Sequence, residues 1–234
     1  MAVLAESGSN PDVELLYDIN GLAKAAPHWF DRVMEFTGEY GLPVAMVLLV
    51  LGCWLTVRRR GGPDAVSSVA ALVWAPLAAA VAVLVNVPIR GFVERPRPFM
   101  DHQGLDVLIA GKSDYSFVSD HATITMAIGV GLFVANRRFG IAGIALALLE
   151  GFCRVFMGVH YPTDVIGGFA LGTAVALLLS PPATALLTPL VRAVARSPRA
   201  GRLVSARPAG GERGDALFAG GREPAGSGEK DLAA

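Results

Sequence analysis

Charge is scarce in this 234-residue chain. Asp, Glu, Lys and Arg make up 17% of it against 53% apolar residues, which argues against an average soluble domain and for one membrane domain with tails. Cysteine is scarcer still. Cys53 and Cys153 each lie inside an apolar run, far from any Cys-x-x-Cys spacing, so neither a disulfide framework nor a cysteine metal site is expected. The opening stretch MAVLAESGSNPDVELLY has no basic region followed by an apolar core and a small-residue cleavage site, and no cleaved secretory signal is expected. Carboxylates and histidines form no cluster with metal-ligand spacing, so charge compensation falls to arginine and neither metal nor other cofactor is expected. No internal repeat is visible.

What is present is a series of apolar segments. From Asp12 to Tyr40, Leu15, Leu16, Ile19, Leu22 and Ala23, then Trp29, Phe30, Val33, Met34 and Phe36, recur at helical spacing among charges. This predicts two amphipathic helices broken near Pro27. A soluble helical hairpin has the same pattern, but the adjoining apolar runs favour an interfacial pair. Five spans are expected next, at about 42–57, 65–89, 122–135, 139–157 and 165–180. The third is short for the roughly 20 residues a spanning helix needs, which is acceptable if its first turn, at 119–121, walls a cavity. Beyond Pro181 and Pro182 an apolar stretch to Val194 predicts one more short or interfacial helix. The fold class is therefore all-α, a polytopic transmembrane helical bundle. Residues 1–40 form the N-terminal helices, 41–195 the membrane domain and 196–234 a disordered tail.

Basic residues set the orientation. Arg58, Arg59 and Arg60 follow the first span, and Arg137 and Arg138 join the third to the fourth. Arg192, Arg196, Arg199, Arg202 and Arg207 follow the fifth without an intervening acid. Five spans put all three places on one side, and the positive-inside rule makes it cytoplasmic. A cytoplasmic flank explains these arginines, and no nucleic acid partner is expected. The loops 90–120 and 158–163 then face outward from a plasma membrane.

Three clusters meet on that outer side: RGFVERPRP (90–98), SFVSDH (116–121) and CRVFMGVHYPTD (153–164). His160 and Asp164 are four apart, so a helix starting near Tyr161 or earlier puts them on one face, the carboxylate holding one imidazole nitrogen as a donor and leaving the other free. Glu150 and Arg154 share the same spacing within a span, where an unpaired charge is costly. Arg90, Arg97 and Arg154 offer guanidinium forks that match phosphate oxygens. Backbone N–H groups at 119–121, at a helix N-terminus, suit the same ligand.

These clusters resemble the signature of the type 2 phosphatidic acid phosphatase superfamily, which also includes vanadium haloperoxidases: Lys-x6-Arg-Pro, Pro-Ser-Gly-His and Ser-Arg-x5-His-x3-Asp. Arg90 stands at the Lys position, with Arg97 and Pro98 following; Ser119 and His121 match the second motif, and Arg154, His160 and Asp164 the third. The resemblance covers about 85–170 and implies a PAP2/haloperoxidase-like core. It implies His160 as nucleophile forming a phosphohistidine, Asp164 as its orienting partner and His121 as general acid. Arg90, Arg97, Arg154 and Ser119 would hold the phosphoryl oxygens. Glu150 and Pro98 would stand behind them. The implied function is an integral membrane phosphatase of a lipid phosphate or diphosphate.

The sequence departs from the signature at Arg90, Val118, Asp120 and Cys153. Asp120, grouped with the phosphate-site residues, puts a carboxylate beside the phosphate, either turned away or acting on the leaving side. The SDHAT stretch with RPRPF upstream resembles the bacterial subgroup acting on undecaprenyl diphosphate. Phosphatidic acid, phosphatidylglycerol phosphate, transfer to another acceptor, and lipid-phosphate binding or transport without cleavage remain alternatives; oligomeric state is open. Among remaining residues, His102, Asp101, Asp106 and Asp114 are expected to be solvated. His28 beside Trp29 reads as an interfacial anchor, and Glu94 and Arg95 as mutually neutralising or fixing their loop.

Overall fold

A computed structural model describes residues 10–62, 64–109 and 111–206, which are helices and connecting loops. The first helix, α1 (Pro11–Ala25), is capped by Asn10, whose side chain accepts from the Asp12 N–H. Pro27, which disfavours helix at the residue before it, separates α1 from α2 (His28–Phe36), giving the expected pair. α2 then runs through a five-residue π-helical turn, Thr37–Gly41, into α3 (Leu42–Arg60), and His28–Arg60 is one apolar helix of 33 residues. The expected boundary at residue 40 falls inside that continuous helix. Trp29 and Tyr40 are exposed along it, as amphipathic rings at a membrane surface are.

Helix α4 (Ala65–Val93) has 29 residues, about 43 Å at 1.5 Å per residue. That exceeds a hydrocarbon core of about 30 Å, so α4 carries Arg90 past it. After α5 (Pro98–Asp101) come α6 (Asp120–Ala135), α7 (Arg137–Phe156), α8 (Pro162–Leu178) and α9 (Ser180–Arg196). The five apolar helices expected from 42 to 180 are thus α3, α4, α6, α7 and α8. By length and hydropathy three helical stretches can each cross a membrane alone, or four if α8 and α9, bent by 53°, form one span.

The exception, α6, has 16 residues, about 24 Å, and is the central helix, packed on α4, α7 and α8. Ala122, Met126, Ala127, Val130 and Leu132 are buried, so its surroundings are protein and not lipid, and its length need not match the bilayer. Small residues let its neighbours close in. A Cβ at Gly172 of α8 would lie 2.5 Å from the Thr123 carbonyl oxygen, one at Gly168 2.8 Å from that of Ser119, and one at Gly131 2.7 Å from Ala75 Cα. This approach sets the N-termini of α6 and α8 side by side, where the Ser119 N–H donates to the Asp164 carbonyl at 3.1 Å.

Alternation of the helices brings the C-termini of α4 and α7, the N-termini of α6 and α8, and the turn before α3 to one end. Arg58 to Arg60 and Arg137 and Arg138 lie at the other. Part of the expected tail is folded there. Trp54 Nε1 donates to the Leu203 carbonyl at 2.9 Å, the Ala206 N–H to that of Arg58 at 3.0 Å, and Val204 is buried. The aperiodic reading of 196 onward missed this because one buried valine and two backbone contacts leave no periodic trace. Residues 207–234 lie outside the described residues.

Gly172→Leu is expected to lower the melting temperature of the purified protein by several degrees, since overpacking costs about 1–3 kcal/mol. Gly21→Ala in α1, where a Cβ meets nothing within 4 Å, is expected to leave it unchanged or raise it. Thermal unfolding of both variants in detergent checks the pair.

Candidate active site

The turn between α7 and α8 depends on Gly158, at φ +69, where a Cβ would sit 2.9 Å from the Asp106 carbonyl oxygen; glycine suits both the conformation and the approach. The chain then enters α8 through Tyr161, the N-cap, and Pro162. Asp164, three residues into the turn, accepts from the Tyr161 N–H at 2.9 Å. His160 therefore precedes the helix. The two side chains do not share a helical face as the four-residue spacing suggested; the loop brings them together, with His160 Nδ1 3.6 Å from Asp164 Oδ2. The other ring nitrogen, Nε2, is 3.4 Å from Arg97 Nη1. Arginine can only donate, so this contact makes Nε2 the acceptor and assigns the proton to Nδ1. Burial pushes the His160 imidazole below its ordinary range, against the opposing pull of Asp164, which favours the neutral ring.

Arg97 is buried and extensively hydrogen-bonded. Nη1 donates to the Val159 carbonyl at 2.9 Å, Nη2 to Asp114 Oδ1 at 2.8 Å, and Nε to the Asp114 carbonyl at 3.0 Å. Pro98, buried at the first position of α5, starts the helix next to it. Arg90, on the last turn of α4, reaches the other Asp114 oxygen at 3.3 Å and pairs through Nη2 with Asp120 Oδ2. The remaining Asp120 oxygen accepts from Asn86 Nδ2 at 2.7 Å, and Asn86 also donates to the Val118 carbonyl at 3.1 Å. Asp120 thus turns toward a cation and joins α4 to the start of α6.

Arg154 is fully buried on α7. Nε donates to Glu150 Oε1 at 2.7 Å, Nη1 to Glu39 Oε2 at 2.8 Å, and Nη2 to the Gly38 carbonyl. The expected pair with Glu150 is present, and a second carboxylate comes from the turn before α3. Ser119, the N-cap of α6, has a buried Oγ with no hydrogen bond among the described residues. His121 lies on that first turn, within electrostatic reach of Arg154, Glu39, Lys112 and His160. Cys153 packs against Gly38, where a Cβ would meet its own Cβ at 2.9 Å. It belongs to an apolar cluster with Leu42 and Phe156.

Several readings of single residues change. Asp114, expected in solvent, is 49% exposed at its side chain yet pairs with both Arg90 and Arg97. Burial alone would raise its carboxyl, but the hydrogen bond and charge of Arg97 outweigh that and hold it below the usual range. Arg95 does not neutralise Glu94, which caps α4 in the left-handed region at φ +48. Its Nη1 donates to Asp164 Oδ1 at 2.8 Å, its Nη2 to Asp12 Oδ2 at 2.7 Å, and its guanidinium lies 3.6 Å from the Tyr161 ring centre. Asp12 also takes the Thr163 N–H at 2.9 Å. His102 rests edge-on against Tyr161 and Tyr17, its ring 5.8 and 6.2 Å from theirs. Asp12, Glu39, Asn86, Arg95 and Lys112 went unread as site residues because each lies far in sequence from its partner.

Among the described residues, no group of three or more His, Cys, Asp or Glu side chains is placed to hold a metal. Fold and site together define a multi-pass helical membrane protein with cations and two histidines gathered at one end. A family model described as the PAP2 superfamily matches residues 71–184. The undecaprenyl-diphosphatase BcrC of Bacillus subtilis is 32% identical over 148 residues, covering 63% of this chain and 72% of that protein. The decaprenylphosphoryl-5-phosphoribose phosphatase of Mycobacterium tuberculosis is 34% identical over 135 residues, covering 57% and 68%. The crystal structure of Aquifex aeolicus LpxE superposes with a TM-score of 0.56 at 21% identity, covering 76% of this chain and 98% of that one. The chain belongs to the PAP2 superfamily and is a membrane phosphatase, a hydrolase of phosphoric esters.

Arg95→Met is expected to lower turnover by ten- to a hundredfold, as loss of a charge-assisted hydrogen bond worth about 1.5–3 kcal/mol leaves Asp164 less firmly oriented. KM should change little, because Arg95 stands behind the carboxylate. Steady-state kinetics of the purified variant checks the split.

Proposed function

We propose that this protein removes the terminal phosphate of a lipid diphosphate, with undecaprenyl diphosphate as the leading substrate, through a phosphohistidine at His160. The observation that carries the reading is the placement of His160, its Nδ1 3.6 Å from Asp164 Oδ2 and its Nε2 against the guanidinium of Arg97. A phosphoryl group drawn to Arg97 comes to the lone pair of a neutral imidazole. Asp164 stabilises the imidazolium that forms as the P–N bond is made.

Arg90, Arg97 and Arg154, with the Ser119 hydroxyl and the N–H groups at the start of α6, take the equatorial oxygens, where charge develops in transfer. Asp120 and Glu150 hold Arg90 and Arg154 in place. His121 gives its proton to the leaving oxygen and then draws one from the water that cleaves the phosphohistidine. No step of this scheme calls on a metal. The substrate assignment is supported by the name of the Bacillus relative, and other relatives act on other lipid phosphates.

Inorganic phosphate release in EDTA from undecaprenyl diphosphate, phosphatidic acid and a soluble phosphomonoester tests the reading. Release from the polyprenyl lipid is expected to be greatest and to vanish in His160→Ala. Greatest release from phosphatidic acid would sink the substrate assignment and leave the chemistry standing. Release that EDTA abolishes would sink the scheme.

The site is further proposed to face the extracytoplasmic side of the plasma membrane, on the strength of the arginines at the opposite end. In a background lacking Cys53 and Cys153, Gln103→Cys is expected to react with an impermeant thiol reagent on intact cells, and Arg138→Cys only after lysis. The reverse pattern would invert the topology.

A further inference from the structure

Arg154 already has a full partner in Glu150, one turn back on its own helix and equally buried. Glu39 is a second carboxylate on the same guanidinium, and its other oxygen lies 3.6 Å from Lys112 Nζ. One carboxylate bridging two cations has a charge and a pair of oxygens that a phosphate can replace. Unlike Glu150, the Glu39 and Lys112 side chains are 24% and 22% exposed, so Glu39 can turn to water when a stronger anion arrives. Lys112 lies on the loop between α5 and α6, and the first turn of α6 carries His121, the residue assigned above to the leaving oxygen. Neither belongs to the three motifs, and Glu39 lies outside the residues the family model matches.

We propose that Lys112, released from Glu39, binds the lipid-proximal phosphate of a diphosphate substrate, making this pair the element that favours diphosphates over monophosphates. The inference rests on the phosphatase reading. His160 Nε2 forms a bond to the terminal phosphorus while the bond from that phosphorus to the bridging oxygen breaks. The electron pair stays on that oxygen, which takes the proton of His121 and becomes a terminal oxygen of the lipid monophosphate. Water then cleaves the P–N bond, giving inorganic phosphate and the neutral imidazole. Lys112 offsets the charge that accumulates on the departing phosphate. A monophosphate substrate departs as an alcohol and presents nothing for Lys112 to hold.

The test uses the full chain in detergent, hydrolysing whichever substrate the wild type accepts, with methylenediphosphonate and inorganic phosphate as competing inhibitors. Lys112→Met is expected to weaken methylenediphosphonate by about ten- to a hundredfold, the loss of one charge-assisted hydrogen bond, and inorganic phosphate far less. Lys112→Arg is expected to restore most of the difference. Inhibition by inorganic phosphate in the same variant reports that the site is folded. An unchanged ratio of the two inhibition constants, including a parallel loss of both, overturns the subsite and leaves the phosphatase reading intact. A wild type that hydrolyses no phosphate ester overturns that reading and the subsite with it.

Discussion

Guanidinium groups brought together at the end of an apolar bundle repel one another and lose hydration, and burying a charge costs several kcal/mol unless it is paired and hydrogen-bonded. The architecture of this end follows from that constraint. Arg154, wholly buried, is met by Glu150, Glu39 and the Gly38 carbonyl. Arg97 is met by Asp114 and the Val159 carbonyl, and Arg90 by Asp114 and Asp120. These partners come from the turn before α3, from α6 and α7, and from the loops beside them, so charge compensation ties these segments together in addition to their apolar packing. The partners differ in kind. Glu150 is sealed in the bundle, whereas Asp114, Asp120 and Glu39 keep contact with solvent. A sealed counterion fixes the arginine, whereas an exposed one remains free to exchange with solvent.

The N-terminal segment has a larger part in this than its amphipathic pattern suggests. Asp12 holds Arg95 and the Thr163 N–H, Asn20 donates to the Asp106 and Phe156 carbonyls, and Glu39 closes over Arg154. All three lie outside the stretch that carries the family signature. The segment therefore works as a strap across the site: Leu16 and Ala23 seat it in the apolar core, and its polar residues fix the ends of α7 and α8.

Much of this was legible in the sequence. Apolar length and period placed the helices, because burial against lipid or protein imposes that pattern. The motif residues were legible through their spacing, although His160 and Asp164 meet through a helix cap and not along a helical face. The long-range partners were not. Nothing local distinguishes Asp114, which holds two arginines, from Asp101, and Arg95 beside Glu94 looks neutralised until the fold carries it to Asp12, 83 positions away. A pair that exists only after folding leaves no periodic signal in either segment. The helical continuity from His28 to Arg60 was hidden for a different reason, since the polar residues at 37–40 separate the amphipathic pattern from the first apolar run.

Two departures from the family signature explain each other once the fold is known. Glycine is usual where Asp120 stands, and a carboxylate there, alone, would repel an incoming phosphate. Lysine is usual where Arg90 stands. In the structure the two residues touch, and Asp120 takes one Nη of the Arg90 fork while Asp114 takes the other. A lysine ammonium is a single point of charge, whereas the guanidinium presents separate donors in a fixed plane. Arginine at 90 can hold Asp120 and still direct a donor elsewhere. Asn86, one turn earlier on α4, fixes the second Asp120 oxygen and the Val118 carbonyl together, so the carboxylate has a set orientation at the N-terminus of α6. The substitution at 120 is tolerable because the one at 90 accompanies it, and neither is conservative by itself.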